Sequence, residues 1–347
     1  MSSFFPSMGR ASFIRGVGDT TSKIAIVGDY TSAFDEQAPL PFQGGGGAVL
    51  ERALHNAGLI RGEVYLTHLF KERSRAKVKH GDPRGPAPQW YHEAKGAFTD
   101  EGNAWVWRLR EELNNIDANV IIACGNATYR ALTDIQKLKD RRGYIFPSVG
   151  LDRVRQVIPS VHPASCLRGN AHMQTVLAAD LAKAKQFCNN REIVRPERKL
   201  IYDFANVEEC LAWLDTFIQS DKPISVDTEV LHYELASIQF SNDPSMGVFI
   251  PIADRWTLDE EVLIWRKVQQ VLATPNEKIL QNGIFDIQFL AVRCGLIIEG
   301  KITDTMIAHS CMLPELPKGL GFLGSLYCGA QEYWKDKADF KSIKEED

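Results

Sequence analysis

Ser225-Val226-Asp227-Thr228-Glu229 and, about 55 residues later, Gln281-Asn282-Gly283-Ile284-Phe285-Asp286 decide the reading of this 347-residue chain. The first stretch ends an apolar run with two carboxylates two residues apart. On a strand, residues i and i+2 share a face, so Asp227 and Glu229 project together. The second stretch follows Lys278-Ile279-Leu280 and places Asn282 and Asp286 one helical turn apart. Either motif alone is commonplace; an Asp-x-Glu is most often a solvated strand edge. Together they offer three carboxylates converging from a strand and a neighbouring helix, an oxygen-only donor set suited to Mg²⁺ or Mn²⁺. Two such ions about 3.5–4 Å apart activate water and stabilise the leaving oxygen of a phosphodiester.

The order of elements between the motifs sharpens this reading. Leu235–Phe240 and Gly247–Ile252 read as strands and Asp259–Leu272 as a helix. The succession strand, strand, strand, helix, strand, helix, with the acid pair on the first strand, resembles the ribonuclease-H-like fold of DEDD-type 3′–5′ exonucleases, in particular the proofreading domain of phage family A DNA polymerases. The resemblance covers residues 200–330. It implies that Asp227 bridges two ions, that Glu229 holds one and orients the attacking water, and that Asp286 ligates the second. It also implies that Asn282 touches the substrate or the ion shell. Asp304 stands where such exonucleases often carry an Asp-Thr pair, but reads better as the N-cap of a helix from Thr305. The third motif of that family, a Tyr or His four residues before a final Asp, is not found; Tyr333 plus four is Lys337, and Asp339 is a weak substitute. The resemblance therefore implies that the final acid lies beyond residue 347, on a separate DNA polymerase chain or in the rest of a longer one.

Bulk properties fit a two-domain protein of nucleic-acid metabolism. The chain is long enough for two cores, and its 44% hydrophobic and 24% charged residues are ordinary for a globular protein. Residues 1–190 carry 24 Lys/Arg against 18 Asp/Glu, and the remainder 16 against 26. A basic first half suits a polyanion and an acidic second half suits a domain that takes cations before DNA. Seven scattered cysteines without a Cys-x-x-Cys, and no signal peptide, point to reduced thiols in a cytoplasm, the host's if the chain is phage-encoded. No apolar run reaches the length of a membrane span, so no membrane partner is expected. Residues 1–22 read as a loose arm, 23–190 as the first domain, 191–199 (charged, with Pro196) as a linker, and 200–347 as the second domain.

In the first half, Lys23–Gly28, Val64–Leu69, Asn119–Cys124 and Gln156–Ile158 read as strands, with helices at Ala48–Ala57, Asn126–Leu132 and His172–Cys188. This alternation predicts a three-layer α/β domain with a parallel sheet, whose ligands sit at the strand C-termini. Those ends carry Asp29, His68, Gly125 and His162. The Gly44–Gly47 run lacks the Lys-Ser/Thr of a phosphate-binding P-loop. Val27-Gly28-Asp29, Pro41-Phe42 with the glycine run, Tyr65-Leu66-Thr67-His68 and His162-Pro163-Ala164-Ser165 together resemble family 4-type uracil-DNA glycosylases over residues 22–188.

That resemblance implies a pocket for a flipped base. Phe42 would stack on it, Asp29 would lie near the sugar, His162 would donate toward the leaving base, and Leu167 with Arg168 would fill the gap in the duplex. His68 stands where the family reads uracil with Asn, and an imidazole lacks the bidentate pattern of an amide. The family's iron–sulfur cysteines are absent, since no Cys precedes Cys124, so no iron–sulfur cluster is expected. His80 stands near the place of a DNA-cross-linking His in a subgroup of the family. Lys71, Arg73, Arg75, Lys77 and Lys79 recur at every second residue and, in an extended segment, would face one way along phosphates. Trp90 and Tyr91 are candidates to stack on bases, and Trp105 and Trp107 read as core. The expected protein is a metal-dependent exonuclease acting on single-stranded DNA 3′ ends with a glycosylase-like DNA-binding module. The alternatives are a glycosylase for uracil or a modified pyrimidine, and a non-catalytic accessory part of a split polymerase.

Overall fold

In the computed structural model, residues 13–77, 87–135, 141–167 and 169–329 are described. The chain forms two compact units, Met1–Arg195 with Gly321–Asp347, and Pro196–Leu320.

The first unit is built on a sheet ordered β2-β1-β5-β7-β6. Its strands are β1 (Ile24–Tyr30), β2 (Tyr65–Phe70), β5 (Val120–Cys124), β6 (Phe146–Pro147) and β7 (Gln156–Ser160). All neighbours are parallel except the edge strand β6. Two short strands, β3 (Tyr91–His92) and β4 (Ala97–Phe98), pair apart from it. Every residue of β2 and β5 is buried, as expected for parallel strands covered on both faces. Alternate residues serve opposite layers. Ala25 and Val27 pack with Trp105, Leu109 and Leu113 of a helix at Asp100–Asn114. Ile24 and Ile26 pack with Val49, Leu50, Leu177 and Leu181 of helices at Gly44–Asn56 and Met173–Phe187. This is the three-layer arrangement expected from the sequence.

Two differences have physical causes. The helix expected from Ala48 starts at Gly44, because the glycine run is itself its first turn. A side chain at Gly47 would stand 2.0 Å from the Phe42 carbonyl oxygen, so the run is a close-packing device rather than a loop. The described part of the N-terminal arm is not loose: Ile14 is buried, its N–H bonds to the Lys71 carbonyl at 2.9 Å, and Val17 bridges Leu66 on the outer edge of β2.

The second unit holds a sheet ordered β13-β12-β9-β10-β11-β8. β9 (Ile224–Leu231), β10 (Glu234–Asp243) and β11 (Met246–Pro251) form an antiparallel meander. β8 (Lys199–Ile201) joins β11 in parallel, and β12 (Lys278–Leu280) and β13 (Ile302–Asp304) extend the β9 side in parallel. Helices at Val207–Ile218 and Leu258–Leu272 bury Leu214, Phe217, Ile264 and Val268 in one core with Ile224, Val226 and Ile238 of the sheet. On β9 burial alternates: Val226 and Thr228 point inward, Ser225, Asp227 and Glu229 outward.

The described segment Gly321–Gly329 packs with the first unit. Its anchor is a buried polar socket beneath the helix Leu320–Tyr327. Arg142 pairs with Asp180 at 2.5 Å, donates to the Ser325 hydroxyl and lies over the Phe322 ring. Lys183 donates to the Ser325 carbonyl at 2.6 Å, and Tyr144 to the Gly321 carbonyl at 2.7 Å. Asp180→Ala strands the Arg142 charge in the interior, and such losses cost about 3–5 kcal/mol. The denaturation midpoint of the first unit should fall accordingly, and Arg142→Met added to Asp180→Ala should restore most of it. A shift near zero for the single variant would contradict the socket.

Candidate functional site

The acid site of the second unit arises where β12 ends early. β12 pairs with β9 only through Ile224 and Ser225, so the β9 edge from Asp227 onward has no strand on that side. The helix Ile284–Cys294 starts there and brings Asp286 to the bare edge. Asp286 is 6% exposed and accepts the Thr228 hydroxyl. Burial raises its pKa against the bonds from Thr228. Burial, then the neighbouring Asp286 and Glu229 carboxylates, push Asp227 from the ordinary carboxylate range up to about 6. Across the β9–β10 ladder, Gln239 stands opposite Asp227 and Ser237 opposite Glu229, and directly opposed residues share a face. Gln239 donates to Ser237 at 2.7 Å, and its own side-chain oxygen is buried without a partner.

Asn282 is exposed in the left-handed region, at φ 58°, one turn before Asp286. Asp304 is the N-cap of the helix Thr305–Met312, as one of its two readings held. Among the described residues no three His, Cys, Asp or Glu side chains stand ready as a metal cage. The donor types nevertheless fit a hard cation: mutually repelling carboxylates beside an orphaned amide oxygen. Thr228 and Gln239 were not singled out in the sequence. Thr228 has the opposite strand parity to the acids, and Gln239 is visible only once the strand register is known.

The glycosylase-like residues of the first unit do come together, but as a filled interior. Phe42 is 4% and His68 2% exposed. Their rings lie 4.5 Å apart, and His162 stands 6.2 Å from Phe42 while stacking on Tyr30 at 5.5 Å. Phe42 adopts φ 55°, a strained state for a bulky residue. Its N–H bonds to His68 Nε2 at 3.3 Å, and Asp35 grips the next amide, Gln43, at 2.7 Å. The His68 Nδ1 is buried without a partner over Gly28, where a Cβ would approach it to 2.4 Å. Burial holds His68 below its ordinary pKa despite Asp35, and holds His162 down at about 3, so both rings are neutral at pH 7. Asp29 accepts the Thr128 N–H at 2.8 Å, and burial lifts its pKa to about 7. The cavity lined by Asp29, Tyr30, Phe70, Tyr91 and Glu93 measures about 10 Å³, room for about one water. The stacking face expected of Phe42 and the substrate contact expected of His68 are covered in this structure, each ring by the other.

The basic series is corrected too. Lys71 is buried against Glu112 at 2.6 Å and Thr67, not turned to phosphates. Arg73 and Arg75 are exposed but lean on Glu36 at 3.6 and 3.3 Å, and Lys77 is exposed. Lys79, His80, Arg168, Tyr333 and Asp339 lie outside the described residues. Trp90 and Tyr91 are buried and unavailable to bases, Trp105 is core as expected, and Trp107, expected in the core, is 56% exposed.

Comparisons with known proteins agree with this two-part organisation. Residues 15–185 match the uracil DNA glycosylase superfamily, and residues 204–345 match a 3′–5′ exonuclease family. The chain joins a uracil DNA glycosylase superfamily domain to a 3′–5′ exonuclease domain. It is 25% identical over 181 residues to a type-4 uracil-DNA glycosylase of Thermotoga maritima, covering 52% of this chain and 85% of that protein. It is 22% identical over 329 residues to a DNA polymerase of Bacillus phage SP01, an alignment that runs through both units; it covers 85% of this chain but only 33% of the polymerase. Among solved structures, Escherichia coli RNase D matches with a TM-score of 0.31 at 17% identity, over 41% of this chain and 36% of that one.

Among the described residues, His68 and His162 crowd Phe42 at ring-centroid distances of 4.5 and 6.2 Å, and Phe42 is buried. Uracil-containing single strands and duplexes incubated with the full chain should yield no more abasic sites than with Asp29→Ala. Base release that depends on Asp29 and His162 would overturn the filled-pocket description.

Proposed function

We propose that this protein is a divalent-metal-dependent exonuclease that removes nucleotides from DNA 3′ ends, with Asp227, Glu229 and Asp286 as metal-holding and catalytic carboxylates. The observation that supports the reading is the placement of Asp227 and Glu229 on one face of β9 beside Asp286, where burial first and the two neighbouring carboxylates second raise the pKa of Asp227 to about 6, within a domain that matches a 3′–5′ exonuclease family. Like charges this close persist where a cation neutralises them. Bound Mg²⁺ or Mn²⁺ would supply an activated water and charge neutralisation at the scissile phosphate. The chain's own part is to fix the geometry. Asp227 and Glu229 share one face of β9; with Asp286 released from the Thr228 hydroxyl, the three carboxylates would hold the ions, and the exposed Asn282 would contact substrate. The glycosylase-superfamily unit serves as a nucleic-acid-binding module through Arg73, Arg75 and Lys77 rather than through a base pocket. Alignment with the phage polymerase supports a role beside polymerase activity, whether on a separate chain or in the same one.

With Mg²⁺ or Mn²⁺, the full chain should shorten a 5′-labelled single strand from its 3′ end, and Asp227→Ala should lower the rate by at least about 100-fold. Equal rates in both would remove the assignment. The pH dependence follows from the raised pKa of Asp227. The fold disfavours its ionised form, so without metal its contribution to stability is full below the ordinary carboxylate range and is lost as pH rises through about 6. A divalent ion reverses that loss by binding the carboxylate. The rise in Tm on adding Mg²⁺ should thus be present at about pH 7.5 and vanish by about pH 5. A rise independent of pH would place the metal elsewhere.

A further inference from the structure

Asp304 ends β13, and its carboxylate takes four backbone N–H groups from two separate segments. Oδ1 accepts from Met306 at 2.8 Å and from Ile307 at 3.2 Å, which is the ordinary work of an N-cap. Oδ1 also accepts from Asn282 at 3.2 Å, and Oδ2 from Gly283 at 2.7 Å. Those two amides belong to the turn that leaves β12 and launches the helix carrying Asp286, with Gly283 as that helix's N-cap. In the turn, Asn282 sits at φ 58°, where a non-glycine residue is strained and must be held by its surroundings. Thr305 adds a second grip on the same turn, its hydroxyl contacting the Leu280 carbonyl at 3.1 Å and the Gln281 side-chain oxygen at 2.5 Å. The direction in which Asp286 leaves its helix is thus set by a turn that one carboxylate ties down from outside.

We infer that Asp304 is a positioning residue: by clamping the amides of Asn282 and Gly283 it fixes the first turn of the helix Ile284–Cys294, and so the place of the Asp286 carboxylate. The inference rests on the nuclease reading of Asp227, Glu229 and Asp286. Helix capping alone does not account for the arrangement, since a cap needs the amides of 306 and 307 and has no use for those of 282 and 283.

Asp304→Ser separates the two tasks. Serine caps a helix nearly as well as aspartate, but its single short acceptor does not reach back to the turn. In this variant, amide hydrogen exchange at Asn282 and Gly283 should speed up by about tenfold or more, while Met306 and Ile307 stay near wild type. The kcat for release of 3′ nucleotides from single-stranded DNA should fall by about 10- to 100-fold with KM changed by less than about threefold, as for a misplaced reacting group. Asp304→Asn, which keeps one acceptor oxygen of the right reach, should fall between. Unchanged exchange at Asn282 and Gly283, or a wild-type kcat in Asp304→Ser, overturns the inference. A wild-type chain without nuclease activity overturns the role together with the reading of the site, and the exchange data distinguish that outcome from failure of the clamp itself.

Discussion

Asp286 comes beside Asp227 where β12 stops before β9 does, and the acid edge of the second unit follows from that mismatch in strand length. Had β12 continued, its backbone would have occupied the β9 edge at Asp227 to Glu229. Because it pairs only as far as Ser225, the edge accepts the first turn of a helix instead, and Asp286 takes up the Thr228 hydroxyl. The arrangement is electrostatically unfavourable by itself, as the high pKa of Asp227 records. A fold that keeps such a cluster half out of solvent has it poised for a proton or a cation. Chemistry on a phosphodiester favours the cation.

The first unit shows the opposite use of burial. Its glycosylase-superfamily residues converge, but the His68 and Phe42 rings cover one another at a tilt, and a cavity beside Asp29 and Tyr91 holds about one water. The strained φ of Phe42 is kept by its N–H to His68 and by Asp35 on the next amide. What this unit retains is a rigid α/β scaffold with arginines on its rim and a buried polar socket for the helix Leu320–Tyr327. These properties suit a platform better than a base-releasing enzyme.

Much of this was legible in the sequence, for identifiable reasons. The period-two burial of β9 follows directly from Val226 and Thr228 alternating with Asp227 and Glu229, whereas Asn282 lies in the turn before the helix that carries Asp286 rather than on it. The alternation of strands and helices in the first half signalled the parallel sheet of β1, β2, β5 and β7. The misreadings share one cause, a partner distant in the chain. Lys71 belongs to a regular basic series, yet it is buried because Glu112 reaches it from a helix 41 residues away. His68 was visible as a departure from the resemblance, but not that it would lie on Phe42. The socket that holds Ser325 likewise rests on Arg142 and Asp180, whose pairing has no local signature.

The central claim is that Asp227, Glu229 and Asp286 hold divalent ions on one edge of β9. Anomalous diffraction from crystals of the full chain soaked in Mn²⁺ tests it most directly. The account predicts an anomalous peak about 2.0–2.3 Å from carboxylate oxygens of Asp227 and Asp286, with Asp286 released from Thr228. Density that leaves this edge empty while Mn²⁺ occupies another part of the molecule would contradict it.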